Sequence, residues 1–401
     1  MINPRLISIA DYTYDLPSER IAQFPLDFRD KSKLLRYSNK VIDTHSFREL
    51  PDLLPAKSLI VLNNTRVIKA RLLFKNSTGG QIELFLLEPL NQTMEEGLEN
   101  RKRTVWKVMV GGMKKWKEEE INLKNTHINL TARKIAISDN VAEVEFSWTP
   151  AHINFETVLE LLGNTPLPPY MKREEQLADA TRYQTTYNKT SGSVAAPTAG
   201  LHITPEVLSK LTEKGIQRCE LTLHVGAGTF LPVKSDTMDG HTMHAETIEV
   251  SIEAIEQIRN QFGQSIVCVG TTSARTLESL YWIGVKILTK QIMFPTDISL
   301  NQWECYDLPQ DYSSEEAFDT LINFLNKHKQ TKLIGQTQII IAPGYTFRVL
   351  TALMTNFHQP NSTLLLLVAA FIGHDWKKIY DYALQNDYRF LSYGDSSLLI
   401  P

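Results

Sequence analysis

The sequence predicts an α/β protein with a small antiparallel β unit set into it, on three observations. Apolar runs that lead into a polar loop or a glycine, Ser58-Leu-Ile-Val-Leu-Asn-Asn64, Glu220-Leu-Thr-Leu-His-Val225 and Ser265-Ile-Val-Cys-Val269, have the length and content of buried strands. After Pro166-Leu-Pro-Pro-Tyr170 such runs alternate with helix-like stretches, Pro205 to Lys214 and Ala274 to Trp282. Between residues 71 and 150 the pattern turns to strand-like alternation instead.

Each element has a local reason. Gln81-Ile-Glu-Leu-Phe-Leu-Leu87, Ile121-Asn-Leu123, Ile128-Asn-Leu130 and Ala142-Glu-Val-Glu-Phe146 alternate, and Ser138-Asp139-Asn140 is a hairpin turn between two such runs. Thr204 followed by Pro205 makes an N-cap and first helical residue. Gln338-Ile-Ile-Ile341 reads as a further strand, stopped by Pro343-Gly344. Ser362 caps the apolar helix Leu364–Ile372, and Asp375 caps Trp376–Leu384. Residues 283–335 fit the alternation least well; with a Trp-Glu-Cys segment and a charged, helix-like Ser314–Lys329, they read as an insertion. The expected organisation is therefore one discontinuous catalytic domain, 1–70 plus 155–401, around an inserted domain at 71–154.

Composition narrows the function. A chain of 401 residues suggests two or three domains and needs no disulfide or metal to hold a core. Hydrophobic content of 42% and charged content of 22% are those of an ordinary globular protein. Lys+Arg of 42 against Asp+Glu of 45 leaves a formal charge of −3. That excludes a uniformly basic nucleic-acid coat but not a local basic face. Cys219, Cys268 and Cys305 form no Cys-x-x-Cys pair, and the first two lie in apolar runs as core thiols. No apolar stretch follows Met1-Ile2-Asn3-Pro4, so no signal peptide is expected. Leu364–Ile372, the longest apolar run, is about half a membrane span. A cytoplasmic, membrane-free protein is the expectation.

Three junctions are rich in glycine and hydroxyl groups: Ser191 to His202, His224 to Phe230, and Gly270-Thr-Thr-Ser-Ala-Arg275. Ligands of α/β sheets bind at the carboxyl ends of strands, and helix starts there offer free N–H groups to anions. The bland alternative is that the glycines only make turns. Gly226-Ala-Gly228 is not a dinucleotide fingerprint, since Leu231 occupies the third glycine position, and no P-loop occurs. His241-Thr-Met-His244-Ala-Glu246 resembles a metal-ligand cluster without a known zinc spacing. Histidine also serves acid–base chemistry, while a satisfied, partly buried ring is the ordinary case. From Arg101 to Lys117, seven positive charges and two tryptophans fall within 17 residues. That suits RNA, although soluble surface strands can look the same.

Together these stretches resemble the S-adenosylmethionine:tRNA ribosyltransferase-isomerases of queuosine biosynthesis. The matching motifs begin with Asp15-Leu-Pro17, Ile21-Ala-Gln23, Arg29-Asp-Lys-Ser-Lys-Leu-Leu35 and Leu62-Asn-Asn-Thr-Arg-Val67. Leu167-Pro-Pro-Tyr170, Arg182-Tyr-Gln-Thr185, Ser193 to His202 and Leu223 to Phe230 follow. Met243-His-Ala-Glu246, Val269 to Ser279, Pro343-Gly-Tyr345, Thr355-Asn-Phe-His358 and Tyr388 to Asp395 complete a series that spans almost the whole chain in order.

The resemblance implies an α/β-barrel-like catalytic domain with a small inserted antiparallel β-barrel domain. It implies transfer of the ribosyl part of S-adenosylmethionine to a 7-aminomethyl-7-deazaguanine at the tRNA wobble position, with loss of adenine and methionine. The product is epoxyqueuosine. Sulfonium chemistry acidifies the C5′ protons, so a positioned base is required. On this resemblance His224, His244 and Glu246 are the candidates for proton transfer. Thr198, Gly226, Gly228, Thr271, Thr272, Ser273, Arg275, Tyr345, Asn356 and His358 are the candidates for substrate binding. Arg66, Arg182, Tyr183, Lys107, Lys114 and Lys115 are candidates for RNA contact, within the Lys107–Lys117 stretch and beyond it. S-adenosylmethionine is the expected co-substrate, no metal is expected, and the partner is tRNA bound by a monomer.

Four positions depart from the family pattern. Leu231 replaces an Arg, Gln359 a Leu, Lys69 a Pro and Gln336 a Trp, and the 283–335 segment is long. The missing cation at 231 matters most, because it could hold phosphate or carboxylate. Two competing readings follow: a diverged relative that binds RNA or S-adenosylmethionine with altered or no activity, and a metal hydrolase centred on His241, His244 and Glu246.

Overall fold

The structure, a computed structural model, describes residues 3–138, 141–226, 233 and 235–401. Among the described residues eighteen strands fall into three sheets. Ten form a mixed sheet: β1 (Lys33–Ser38), β2 (Val41–Ser46), β3 (Leu59–Asn63), β12 (Gln217–His224), β13 (Glu246–Ser251), β14 (Ile266–Val269), β15 (Ser299–Leu300), β16 (Lys332–Thr337), β17 (Ala352–Asn356) and β18 (Ser396–Ile400). Their order is β15-β16-β13-β12-β3-β14-β17-β18-β1-β2, and the central four, β12, β3, β14 and β17, run parallel.

The central strands are apolar throughout because both faces are covered. Leu59, Val61, Ile266, Cys268 and Leu353 point into one core, under helices that include Gly270–Leu288 and Ser314–Lys327. The alternate residues Ile60, Leu62, Val267, Val269 and Met354 point into a second core with Val207 and Leu211 of helix Pro205–Glu213. Period-two geometry places neighbours along a strand on opposite faces. All three cysteines are free and buried, as their apolar runs predict for Cys219 and Cys268.

The second sheet holds β5 (Arg71–Lys75), β6 (Gln81–Pro89), β7 (Arg103–Gly111), β8 (Glu120–Lys124), β9 (Asn129–Ser138) and β10 (Val141–Thr149). It is antiparallel throughout, in the order β5-β6-β7-β10-β9-β8, and its edge strands β5 and β8 approach each other, so it nearly closes into a barrel. One row per strand faces a separate core, which helix Phe155–Leu162 completes with Phe155, Val158 and Leu159. The core unit thus runs past residue 154, where the alternation of strands stops. The expected turn at Ser138 is spanned by the Ser138–Val141 pair, while Asp139 and Asn140 lie outside the described residues. A third, two-stranded sheet pairs β4 (Thr65–Val67) with β11 (Thr190–Ser193), tying together the chain that enters the barrel and the chain that leaves it.

Three local expectations are corrected. Asp375 does not cap a helix: Asp375–Gln385 includes that residue, and its N-cap position is His374, with no side-chain cap bond. The 283–335 segment is not set apart: helix Gly270–Leu288 continues through its start, Phe318, Leu321 and Leu325 fill the main core, and β16 pairs with β13. Strand β16 ends at Thr337, before Gln338–Ile341, because Thr337 Oγ1 accepts the Ile339 amide and turns the chain. The caps at Thr204 and Ser362 form as the sequence predicts, each side chain accepting a backbone N–H of the first turn. Among the described residues no helix is long and apolar enough to cross a membrane.

Candidate functional site

Parallel strands β12, β3, β14 and β17 deliver their carboxyl ends to one edge of the sheet, where α/β proteins bind ligands. A cavity of about 100 Å³ opens there. Thr198, Thr271, Thr272, Asn356 and His358 line it, with Val225 and Ser392. The structure therefore brings together five of the ten expected substrate-binding residues, from three distant stretches of sequence.

Local geometry leaves polar groups unspent at this edge. Gly270 has φ +87, a conformation that side chains strain to adopt, and it turns β14 directly into helix Gly270–Leu288. No side chain caps that helix, and no acid stands in its first turn. Its positive end and free N–H groups are thus left for an anion. Thr272 Oγ1 is buried there without a partner among the described residues. Across the cavity, Asn356 donates Nδ2 to the Leu391 carbonyl at 3.1 Å, an assignment that the carbonyl dictates. Among the described residues its Oδ1 is left buried and unpartnered, an acceptor with nothing to accept. His358 Nε2 lies 2.9 Å from Thr355 Oγ1, its amide donates to Tyr380 and its carbonyl accepts from Tyr14. Burial lowers its pKa to about 4, so the ring is neutral at pH 7.

His224 faces elsewhere. Its neighbour Val225 reaches the cavity, whereas the His224 ring lines a cleft of about 700 Å³ with Glu249, Lys332 and Glu156. Nε2 stands 3.7 Å from Glu249 Oε1, and Glu249 Oε2 accepts from Lys332 Nζ at 2.7 Å. The His224 ring, reinforced by Lys332 against the opposing effect of burial, holds the Glu249 carboxyl down at about 2. His224 Nδ1 is buried without a partner, and a Cβ on Gly192 would come within 2.9 Å of it. Glu249 was missed from sequence; only the β12–β13 register, with Thr222 opposite Glu249 and His224 opposite Thr247, brings it to the imidazole.

Other expected residues are placed apart from the cavity. Arg275 is buried and ion-paired with Glu246, and its Nε donates to the Ile339 carbonyl, so these two candidates meet each other. Ser273 spends its hydroxyl on the Val269 carbonyl inside the helix. Tyr345 is buried, donating to Glu278 at 2.7 Å and accepting from Trp282, which corrects its assignment to substrate. His244 is exposed, and Gly226 has open space around it. Gly228 and Leu231 lie outside the described residues.

The RNA candidates divide in the same way. Tyr183 is 0% exposed and cannot reach a nucleic acid. Trp106 and Trp116 turn into the barrel core, so the Arg101–Lys117 stretch presents no aromatic platform. Lys107 pairs with Glu88 and Arg66 with Glu160, at 2.7 and 3.0 Å. Lys114 and Lys115 lie on the turn after β7. Arg182 stands with other cations around a small second cavity.

Comparison with known proteins places the chain among relatives of one kind. A family model described as a queuosine biosynthesis protein matches residues 9–399. An S-adenosylmethionine:tRNA ribosyltransferase-isomerase of Desulfitobacterium hafniense is 38% identical, over 98% of this chain and 100% of its own. That of Thermotoga petrophila is 37% identical, with the same coverage. A crystal structure of the S-adenosylmethionine tRNA ribosyltransferase from Thermotoga maritima aligns with 97% of this chain and 100% of its own, at 28% identity and a TM-score of 0.47.

Proposed function

The chain belongs to the queuosine biosynthesis protein family, and from that membership we propose how its geometry serves an S-adenosylmethionine:tRNA ribosyltransferase-isomerase. The enzyme moves the ribosyl moiety of S-adenosylmethionine onto the aminomethyl group of a 7-deazaguanine at the tRNA wobble position. Adenine and methionine leave, and epoxyqueuosine is formed. The observation that supports this use of the cavity is its pair of unspent polarities. The open N-terminus of helix Gly270–Leu288 attracts an anion, and the orphaned Asn356 Oδ1 attracts an N–H donor. A methionine zwitterion offers one of each: its carboxylate goes to Thr271 and Thr272 with the helix end, its ammonium to Asn356.

Proton removal at C5′ needs a base beside this cavity. His224, backed by the ionised Glu249, ends the strand whose next residue lines the cavity; the neutral His358 ring lines it directly. We assign substrate contact to His358 and keep His224, whose ring faces the neighbouring cleft, as the candidate for the base. His244 and Glu246 remain candidates for later proton transfers. Side chains suffice for these steps, so no resident metal is invoked, and Glu246, a ligand in the metal-hydrolase reading, is already ion-paired with Arg275. The barrel at 71–154, with the helix that follows, is read as the inserted domain. A cytoplasmic monomer is the working form.

Adenine release from S-adenosylmethionine and tRNA carrying the aminomethyl-deazaguanine tests the assignment. Asn356→Ala should raise KM for S-adenosylmethionine about tenfold with little change in tRNA affinity. His224→Ala should lower kcat by about 10²–10⁴-fold. Unchanged KM in the first, or unchanged kcat in the second, refutes that residue's role.

A further inference from the structure

We propose that Arg29, Arg182, Arg389 and His202 form a phosphate pocket that takes one backbone phosphodiester of the tRNA beside the substrate cavity. This rests on the reading of the chain as a tRNA-modifying enzyme. The four residues come from separate stretches of sequence and line a single cavity of about 20 Å³, walled by Pro25, Leu26, Leu201 and Tyr393. That space holds about one water, so it can admit one oxygen of a phosphate whose ester arms run outward, but not a nucleotide.

Among the described residues no acid is ion-paired with these guanidinium groups, although Asp395 adds counter-charge near Arg389. Arg29 donates to the carbonyls of Gln184, Leu201 and Thr181, Arg182 to those of Leu26 and Asp27, and Arg389 to those of Phe24 and Tyr393. A carbonyl satisfies a donor but cancels no charge. The nearby carboxylates are spent on other groups: Asp179 on Arg173, Asp30 on Arg48, and Asp395 on the backbone amides of Lys33 and Arg389. Burial, and the charge of Arg182, push the Arg29 pKa down, the sign of a guanidinium short of counter-charge.

Two ring and guanidinium nitrogens are also unspent. Arg182 Nε is buried without a partner. His202 is 5% exposed, and its Nδ1, 3.2 Å from the Arg29 carbonyl, carries the proton there. Its Nε2, buried without a partner among the described residues, therefore meets a phosphate oxygen only when the bound anion draws a second proton onto the ring. An uncompensated buried charge is expensive, and planar guanidinium forks match phosphate oxygens. Position selects RNA as the source. The 198–202 turn lends Thr198 to the substrate cavity and His202 to this one; Ser392 and Tyr393 divide in the same way. A phosphate here sits next door to the base being modified.

The test uses the full chain and tRNA affinity between 50 and 200 mM salt. Arg182→Gln should weaken tRNA binding about tenfold and reduce the slope of log Kd against log salt by about one. Arg182→Lys should recover most of the affinity, and S-adenosylmethionine binding without tRNA should stay unchanged. Should Arg182→Gln fail to fold, His202→Gln gives the same readout with a smaller loss. Wild-type affinity and slope in a folded variant overturn the pocket. Inorganic phosphate that perturbs the His202 ring resonance, with tRNA affinity unmoved by the variants, also overturns the RNA assignment in favour of a free-anion site. Wild-type protein that neither binds nor modifies tRNA refutes the functional reading instead.

Discussion

The two large sheets use similar residues to different ends. In the barrel each strand buries one row, so Trp106 and Trp116 turn inward while the charges between them face water or pair across the sheet. In the ten-stranded sheet β3, β14 and β17 are covered on both faces, and polar groups are driven to the strand ends, where Asn356 and the Gly270 turn stand. The Arg101–Lys117 run of cations and tryptophans suits RNA by sequence, yet its aromatics are core. An orphaned amide oxygen at the end of a doubly covered strand is the better marker, because a buried unpaired acceptor is costly unless a ligand meets it.

If burial on both faces is what makes the main unit intolerant, its buried polar groups should be the most sensitive. Glu278 is wholly buried and accepts from Tyr345 and from the amides of Arg348, Val349 and Leu350. Glu278→Ala should cost about 3–5 kcal/mol in denaturant unfolding, since it leaves those four donors unpaired. A loss under about 1 kcal/mol would break the contrast between the sheets.

Trp106→Ala asks whether the barrel stands alone. It removes a fully buried ring whose Nε1 donates to Thr104, at about 3 kcal/mol. Hydrogen exchange should speed up in residues 71–162 while the strands of the large sheet stay protected. Equal acceleration in both would show one cooperative unit.

The smallest effect sharpens the comparison at the strand ends. Burial lowers the pKa values of both His202 and His358 from the usual 6.5 to about 4. In that window the unfolded chain binds protons that the folded chain refuses, so stability is complete above pH 6.5 and is lost as pH falls toward 4. Each ring should account for about 2 kcal/mol of loss between pH 7 and 4.5. Denaturant midpoints at the two pH values should differ less in His202→Gln than in wild type; an equal drop would remove His202 from the account.

Periodicity alone determined the α/β class, the antiparallel texture of 71–150 and the caps at Thr204 and Ser362, because those depend on neighbours within a few residues. Motif resemblance along the chain determined the family. The stretch 283–335 was misread because its amphipathic helix shows an apolar face but not what that face packs against. Site assembly was likewise beyond sequence. Arg275 and Glu246 looked like separate reagents until the fold paired them, and Tyr183 looked available until it was buried. Glu249 reaches His224 only through strand register, and Arg29, Arg182, His202 and Arg389 share a cavity only because four stretches distant in sequence converge. Burial, pairing and charge compensation are properties of neighbours distant in sequence, and only the tertiary structure decided them.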